Sequence, residues 1–204
     1  MRLFGSPTSP FVRKVMVTLH ETGQTDQVEV VMASGTPLDS VRMPLAQNPL
    51  GKIPVLERND GPALYDSRVI CRYLAHRAGI SLYPEPPALW STLTLEATGD
   101  GILDSALTMV YETRLRPPEQ RNVALLDGYW GKIARAVEAL DGRWMGHLAG
   151  PLDAGQIAIG AALGYLDFRL DARNWRASAP ALADWYAGFA QRPSMRATLP
   201  QDPH

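Results

Sequence analysis

Three short stretches in the first third of the chain carry groups able to hold or activate a ligand. The first is Ser9-Pro10-Phe11, which follows the loop-forming run Gly5-Ser6-Pro7-Thr8 and opens a segment of helical periodicity. Serine as N-cap with proline at the first helical position starts a helix without penalty, because proline's missing N–H would be unbonded there anyway. The unpaired N–H groups and partial positive charge of such a helix end favour an anion, and a thiolate is one. A plain capping role explains the same serine when it is taken alone.

The second stretch is Asn48-Pro49-Leu50-Gly51-Lys52-Ile53-Pro54-Val55-Leu56. A loop ends in Gly-Lys, and proline then stands at the entrance of a strand, a place where it is tolerated and where a cis bond is possible. A cis Pro54 turns the preceding backbone outward and leaves the N–H and C=O of Ile53 for a peptide, as an open strand edge does. A simple turn before an edge strand is the alternative. The third stretch, Asp66-Ser67, opens another helix. Its hydroxyl and free amides suit a carboxylate, and Asp66 suits an ammonium group. Capping again accounts for the pair locally.

The elements that must position these groups are legible around them. Arg2-Leu3-Phe4 reads as a short strand, and Val28 to Met32 as a second. Between them Phe11, Val15 and Leu19 recur every fourth residue, as do Val12 and Met16, until Gly23 ends the helix. Residues 33–52 form an irregular connection. Pro54-Val55-Leu56 and Ala63-Leu64-Tyr65 flank Asn59-Asp60-Gly61, a hairpin signal. The helix after Asp66-Ser67 carries Ile70, Cys71, Leu74 and Ala78 on one face and stops at Gly79. The order β-α-β, an irregular stretch, then β-β-α predicts a small sheet with helices packed on it.

Leu82 to Pro87, with three prolines, reads as a stiff connector. No strand is expected beyond it. Residues 88–115 predict a long helix interrupted at Gly99 and Gly101. The next helix shows Val123, Leu126, Trp130, Ile133, Val137, Leu140 and Trp144, the spacing of a helix lying against others. Asp153 with Gln156 three residues on forms a capping-box pattern, followed by Ile157 to Leu163, apolar on every side. Such a helix belongs at the buried centre of a bundle. A last helix spans 180–191. The expected organisation is therefore a domain at 1–80, a linker at 81–87 and an all-helical domain at 88–204.

Composition narrows the chemistry. Apolar residues are 46% and charged residues 20% of 204, with a net charge of -1, so a real core forms and no basic patch invites nucleic acid. The single cysteine, Cys71, excludes an internal disulfide and a dithiol motif, and is expected to pack as a small hydrophobe. His20, His76, His147 and His204 lack metal-ligand spacing, so no metal is expected. Neither a nucleophile elbow, a phosphate loop nor a dinucleotide fingerprint is present. No leader and no run approaching ~20 apolar residues is visible. The expected setting is cytoplasmic, away from membranes.

The three stretches, in this order and at this spacing, resemble the glutathione S-transferase superfamily. The resemblance extends through the connector to the Asp153–Gly160 segment, where that family has its capping box and central helix. Thr-Ser-Pro-Phe-Val-Arg-Lys and Asp-Gly-Ile-Leu-Asp look like a bacterial subgroup of it. The resemblance implies an α+β/α two-domain fold, a thioredoxin-like βαβ-ββα domain followed by an all-α helical bundle. It implies glutathione as co-substrate, with Ser9 as the thiol-activating hydroxyl and Ser6 and Thr8 as competitors for that role. Ile53 would pair with the cysteinyl backbone beside a cis Pro54, Asp66 and Ser67 would hold the γ-glutamyl end, and Lys52 the glycyl carboxylate. Phe11 counts among the glutathione-binding residues, and with Met109 and Tyr111 would line an acceptor pocket between the domains for a small hydrophobic electrophile.

A homodimer is also implied; in some members an acidic residue from the partner subunit's first bundle helix touches the γ-glutamyl ammonium, a place that Asp100 or Asp104 would fill here, a solvated helix face being the alternative. The chain departs from the family's tyrosine type, since its first tyrosine is Tyr65, and from its cysteine type, since position 9 is serine. The activity implied is glutathione conjugation. The alternative is a glutathione-binding or regulatory protein with little turnover.

Overall fold

The computed structural model describes residues 1–202; His204, one of the histidines considered above, lies outside them. Two compact units divide the chain, one made of residues 1–92 with the residues from Pro193 onward, the other of Leu93–Arg192.

In the first unit β1 (Arg2–Gly5) is the central strand, parallel to β2 (Glu29–Met32) and antiparallel to β3 (Val55–Glu57). Two helices, α1 (Pro10–Glu21) and α2 (Ser67–Ala78), pack together, and a short α8 (Pro193–Ala197) returns to lie on α1. The apolar periodicity of α1 and α2 supplies the core: Val15, Leu19, Ile70, Cys71 and Leu74 meet Leu3, Val28 and Leu56 of the sheet side. Cys71 is buried in that cluster and accepts a hydrogen bond from Thr18 Oγ1 at 3.3 Å. The helix ends follow the sequence signals. Ser9 caps α1 with Pro10 at its first position, and Gly79 closes α2 at φ 67°, a conformation that favours glycine.

One predicted strand is absent. Ala63-Leu64-Tyr65 pairs with β3 only through Leu64, which exchanges both backbone bonds with Leu56. The intervening loop closes around Arg58, whose Nε donates to the Pro62 carbonyl at 3.0 Å, and Pro62 itself has no N–H to extend a ladder. The observed sheet has three strands rather than four.

The second unit is helical: most of α3 (Ala88–Leu115), then α4 (Val123–Arg143), α5 (Met145–Leu148), α6 (Ala154–Leu170) and α7 (Pro180–Phe189). Helix α3 runs without the expected break. Gly99 does not interrupt it; a Cβ at that position would stand 2.8 Å from the Ala158 backbone carbon, so the glycine allows α3 and α6 to approach closely. Helix α6 is buried from Ala154 to Leu166, as an all-apolar helix should be. Its start is a complete capping box: the Gln156 amide donates to Asp153 Oδ1, and the Asp153 amide to Gln156 Oε1, both at 2.9 Å. Trp130 and Trp144, which the helical spacing pointed to the core, are half-buried, as is Trp185, whereas Trp175 is buried.

Candidate functional site

The pairing register brings the three stretches to one end of the first unit's sheet. Ser6 to Ser9 follow the C-terminal end of β1 directly. Val55 pairs with Phe4, near that same end, so Pro54 and Ile53 just before it fall beside the loop. Leu64 pairs antiparallel with Leu56, and two residues further the chain reaches Asp66 at the level of Pro54. A parallel strand, an antiparallel strand and a single bridge therefore converge Ser9, Ile53 and Asp66-Ser67 without any of them lying in regular pairing.

Each group keeps bonding capacity. Ser9 is partly exposed, and its Oγ accepts from the Val12 amide at 3.3 Å. Since that bond uses a lone pair, the hydroxyl hydrogen has no acceptor among the described residues. Ser6 Oγ and Thr8 Oγ1 instead bond one another at 2.9 Å. The Ile53–Pro54 bond is cis. Among the described residues the N–H and C=O of Ile53 have no hydrogen-bond partner, and Ile53 is half-buried. Phe11 is half-buried and Lys52 exposed.

Asp66 caps α2 by accepting from the Arg68 amide at 3.0 Å, and its other oxygen meets Arg68 Nη2 at 2.7 Å. Partial burial opposes its ionisation, but the Arg68 side chain and amide, with Lys14 nearby, outweigh it and hold the carboxyl below its ordinary range. Ser67, at 1% exposure, is the first residue of α2. The bond between Tyr65 and Asp66 is also cis.

Two supporting residues were not foreseen. Asn48, 2% exposed, accepts from the Leu50 amide at 3.0 Å and donates Nδ2 to the Lys52 carbonyl at 2.9 Å, which sets the turn that delivers Ile53. An Asn-Pro dipeptide is itself a turn signal, so this role was open to reading. Lys14 is buried at 1% exposure although the apolar spacing of α1 gave no reason to place it inside. Met109 is packed in the helical unit at 2% exposure, and Tyr111 is half-buried, where burial raises its phenol above the ordinary value. Asp100 is buried and Asp104 exposed.

A cavity of about 390 Å³ at the far end of α2, lined by Arg72, His76 and Tyr83 among others, includes none of Ser9, Ile53, Asp66 or Ser67. A peptide laid along a strand edge is held by backbone pairing and its charged ends, which needs an open shelf rather than a cavity. Among the described residues no cluster of metal-ligating side chains occurs, and no helix is long and apolar enough to cross a membrane.

Comparison with known proteins places this geometry in context. Residues 3–87 match the family model described as glutathione S-transferase, N-terminal domain, and residues 123–188 the one described as its C-terminal domain. An uncharacterized GST-like protein of Escherichia coli, YibF, is 34% identical over 98% of both chains. A glutathione transferase family member from Pseudomonas fluorescens, solved with bound glutathione, is 45% identical, with a TM-score of 0.95 over 98% of this chain and 99% of that one. The same protein solved with S-(propanoic acid)-glutathione gives a TM-score of 0.91 over 99% and 100% of the two chains.

Proposed function

The chain belongs to the glutathione S-transferase family, and from that premise we propose that it binds glutathione at this sheet end and conjugates it to a small hydrophobic electrophile. The observation that carries the reading is the convergence of two helix N-termini with an unpaired backbone edge at Ile53.

The ligand's chemistry fits these groups one by one. The γ-glutamyl carboxylate takes the Ser67 hydroxyl and the free amides of the α2 N-terminus, and its ammonium takes the Asp66 carboxylate. The cysteinyl N–H and C=O pair with Ile53 as an added strand would. Lys52, exposed on the preceding loop, meets the glycyl carboxylate. The sulfur then lies at the N-terminus of α1, where Ser9 donates its free hydrogen. Because Ser9 accepts from Val12 as it donates outward, the helix amide polarises the hydroxyl toward the sulfur.

These contributions are sufficient for thiolate formation. Lowering a thiol from ~8.5 to about 6.5 requires about 2.7 kcal/mol of preference for the anion. A helix N-terminus supplies roughly 0.3–1 kcal/mol, and about 2 when partly buried. A hydrogen bond to a charged group adds about 1.5–3 kcal/mol. The thiolate attacks the electrophile, and the S–C bond forms as the leaving group departs or a conjugated double bond takes up a proton. Glutathione is co-substrate, and no metal takes part. The thioether found on the Pseudomonas fluorescens relative supports this direction of chemistry. The reading places the enzyme in the cytoplasm.

Asp66→Asn keeps the cap but removes the charge that faces the ammonium group. We expect glutathione affinity to fall by roughly tenfold or more in a calorimetric titration. Affinity equal to the unaltered protein's would remove Asp66 from the site. Because its carboxyl is held below the ordinary range, this contact persists at neutral pH and is lost only on acidification below that range. A conjugation assay with an aromatic halide completes the test: binding without turnover would favour a glutathione-binding or regulatory role.

A homodimer is part of the same proposal, each subunit meeting the opposite domain of the other. Sedimentation at micromolar concentration is expected to show a species of twice 22.4 kDa; a monomer would count against it.

A further inference from the structure

The C-terminal helix α8 touches the same helix whose N-terminus carries Ser9, and it does so through specific polar ties. Arg13, 5% exposed, donates from Nη2 to the Met195 carbonyl at 3.1 Å. Ser194 donates from Oγ to the Glu21 carboxylate at the other end of α1. Ser194 and Met195 are themselves 3% and 0% exposed. Two consecutive residues of α8 thus grip α1 at points two helical turns apart.

The upper tie lies one turn from the reacting end. The Arg13 amide donates to the Ser9 carbonyl at 3.0 Å, the first intrahelical bond of α1. A shift or roll of α1 therefore moves the Ser9 hydroxyl and the free amides of the first turn together. Such a shift matters because the hydroxyl and the helix amides favour a thiolate only at hydrogen-bond distance from it.

We propose that α8 is a brace for the thiol-binding end of α1, and that Arg13 is its positioning residue, acting on Ser9 through the helix backbone. The consequence for the thiol rests on the glutathione reading above; the brace itself does not. Arg13 holds the first turn by a buried charge-assisted bond, and Ser194 fixes the rotation of α1 from its far end.

Arg13→Met, Arg13→Lys and Ser194→Ala in the full chain test this without ligand and with it. In the free protein, hydrogen exchange at the Val12 and Arg13 amides is expected to quicken about tenfold in Arg13→Met, matching loss of one charged hydrogen bond. The amides of Ile70 to Leu74 in α2 should stay unchanged. Arg13→Lys should restore protection, and Ser194→Ala should show a smaller effect of the same pattern. With glutathione bound, the pH profile of conjugation in Arg13→Met should move to higher pH while the rate at high pH is retained. Unchanged exchange at the first turn, or a uniform rise across the unit, would overturn the brace. Absence of glutathione binding by the unaltered protein would remove the glutathione reading, while the exchange pattern would still decide the brace.

Discussion

In the proposed site, replacing Ser9 by alanine is expected to raise the pKa of the bound glutathione thiol by about one to two units, the equivalent of losing one hydrogen bond to a charged group. The sign follows from which form the hydroxyl stabilises. In the proposed role Ser9 donates to the thiolate and gives nothing comparable to the neutral thiol, so its removal should make ionisation harder. Below the new pKa the thiolate fraction falls tenfold per unit, and kcat/KM drops by roughly ten- to a hundredfold. Above it the rates converge, because the thiol is then ionised in both proteins. The pH dependence of single-turnover conjugation separates this from general damage, which lowers the rate at every pH. The N-cap is lost as well, which costs about 1 kcal/mol of stability and appears as a modest fall in melting temperature. Ser6→Ala and Thr8→Val are the controls. If Ser9→Ala leaves the profile in place and Thr8→Val moves it, the activating hydroxyl belongs to Thr8.

The second large effect is on the helical unit's stability. Asp153 accepts from the Gln156 amide, and its second oxygen lies 2.7 Å from His147 Nε2. Gln156, 2% exposed, also donates to the carbonyls of Leu148 and Gly150 at 2.9 and 3.1 Å. The pair thus caps the buried central helix and ties it to the end of α5. Asp153→Ala removes the cap and leaves the buried Gln156 amide without its acceptor, a cost of about 1–3 kcal/mol. We expect a loss of about 2 kcal/mol in urea unfolding, with Asp153→Asn recovering part of it through the retained cap. A loss below about 0.5 kcal/mol would mean that water replaces the box and that the central helix does not depend on it.

The two mutations also show what in this chain could be read before folding. Both sites are helix starts, and helix starts are written locally: an N-cap side chain, proline at the next position, a glutamine three residues on. The groups of the proposed site were legible for the same reason, since they are cap residues and a strand-entry proline. Pairing was harder. Leu64 sits in a plausible hairpin, yet only one bridge forms, because the loop folds around the Arg58 side chain and no local pattern announces that. Gly99 reads as a helix breaker until Ala158, 59 residues away in sequence, is seen against it.

Burial of charge was the least legible feature. Arg13 and Lys14 stand among apolar residues on α1, and nothing in the local pattern marks them for the interior. The burial of Arg13 depends on what the tertiary fold brings to it, the α8 carbonyl of Met195. The carbonyl of Met195 is 182 residues from its donor. Periodicity identifies which face of a helix turns inward, but not which distant backbone waits there.

A crystal structure grown in saturating glutathione tests the central claim most directly. The account predicts the γ-glutamyl group at Asp66 and Ser67, the cysteinyl backbone paired with Ile53, and the sulfur within hydrogen-bond distance of Ser9 Oγ. Tripeptide density elsewhere, or a sulfur turned away from the start of α1 with Ile53 left unpaired, would contradict it.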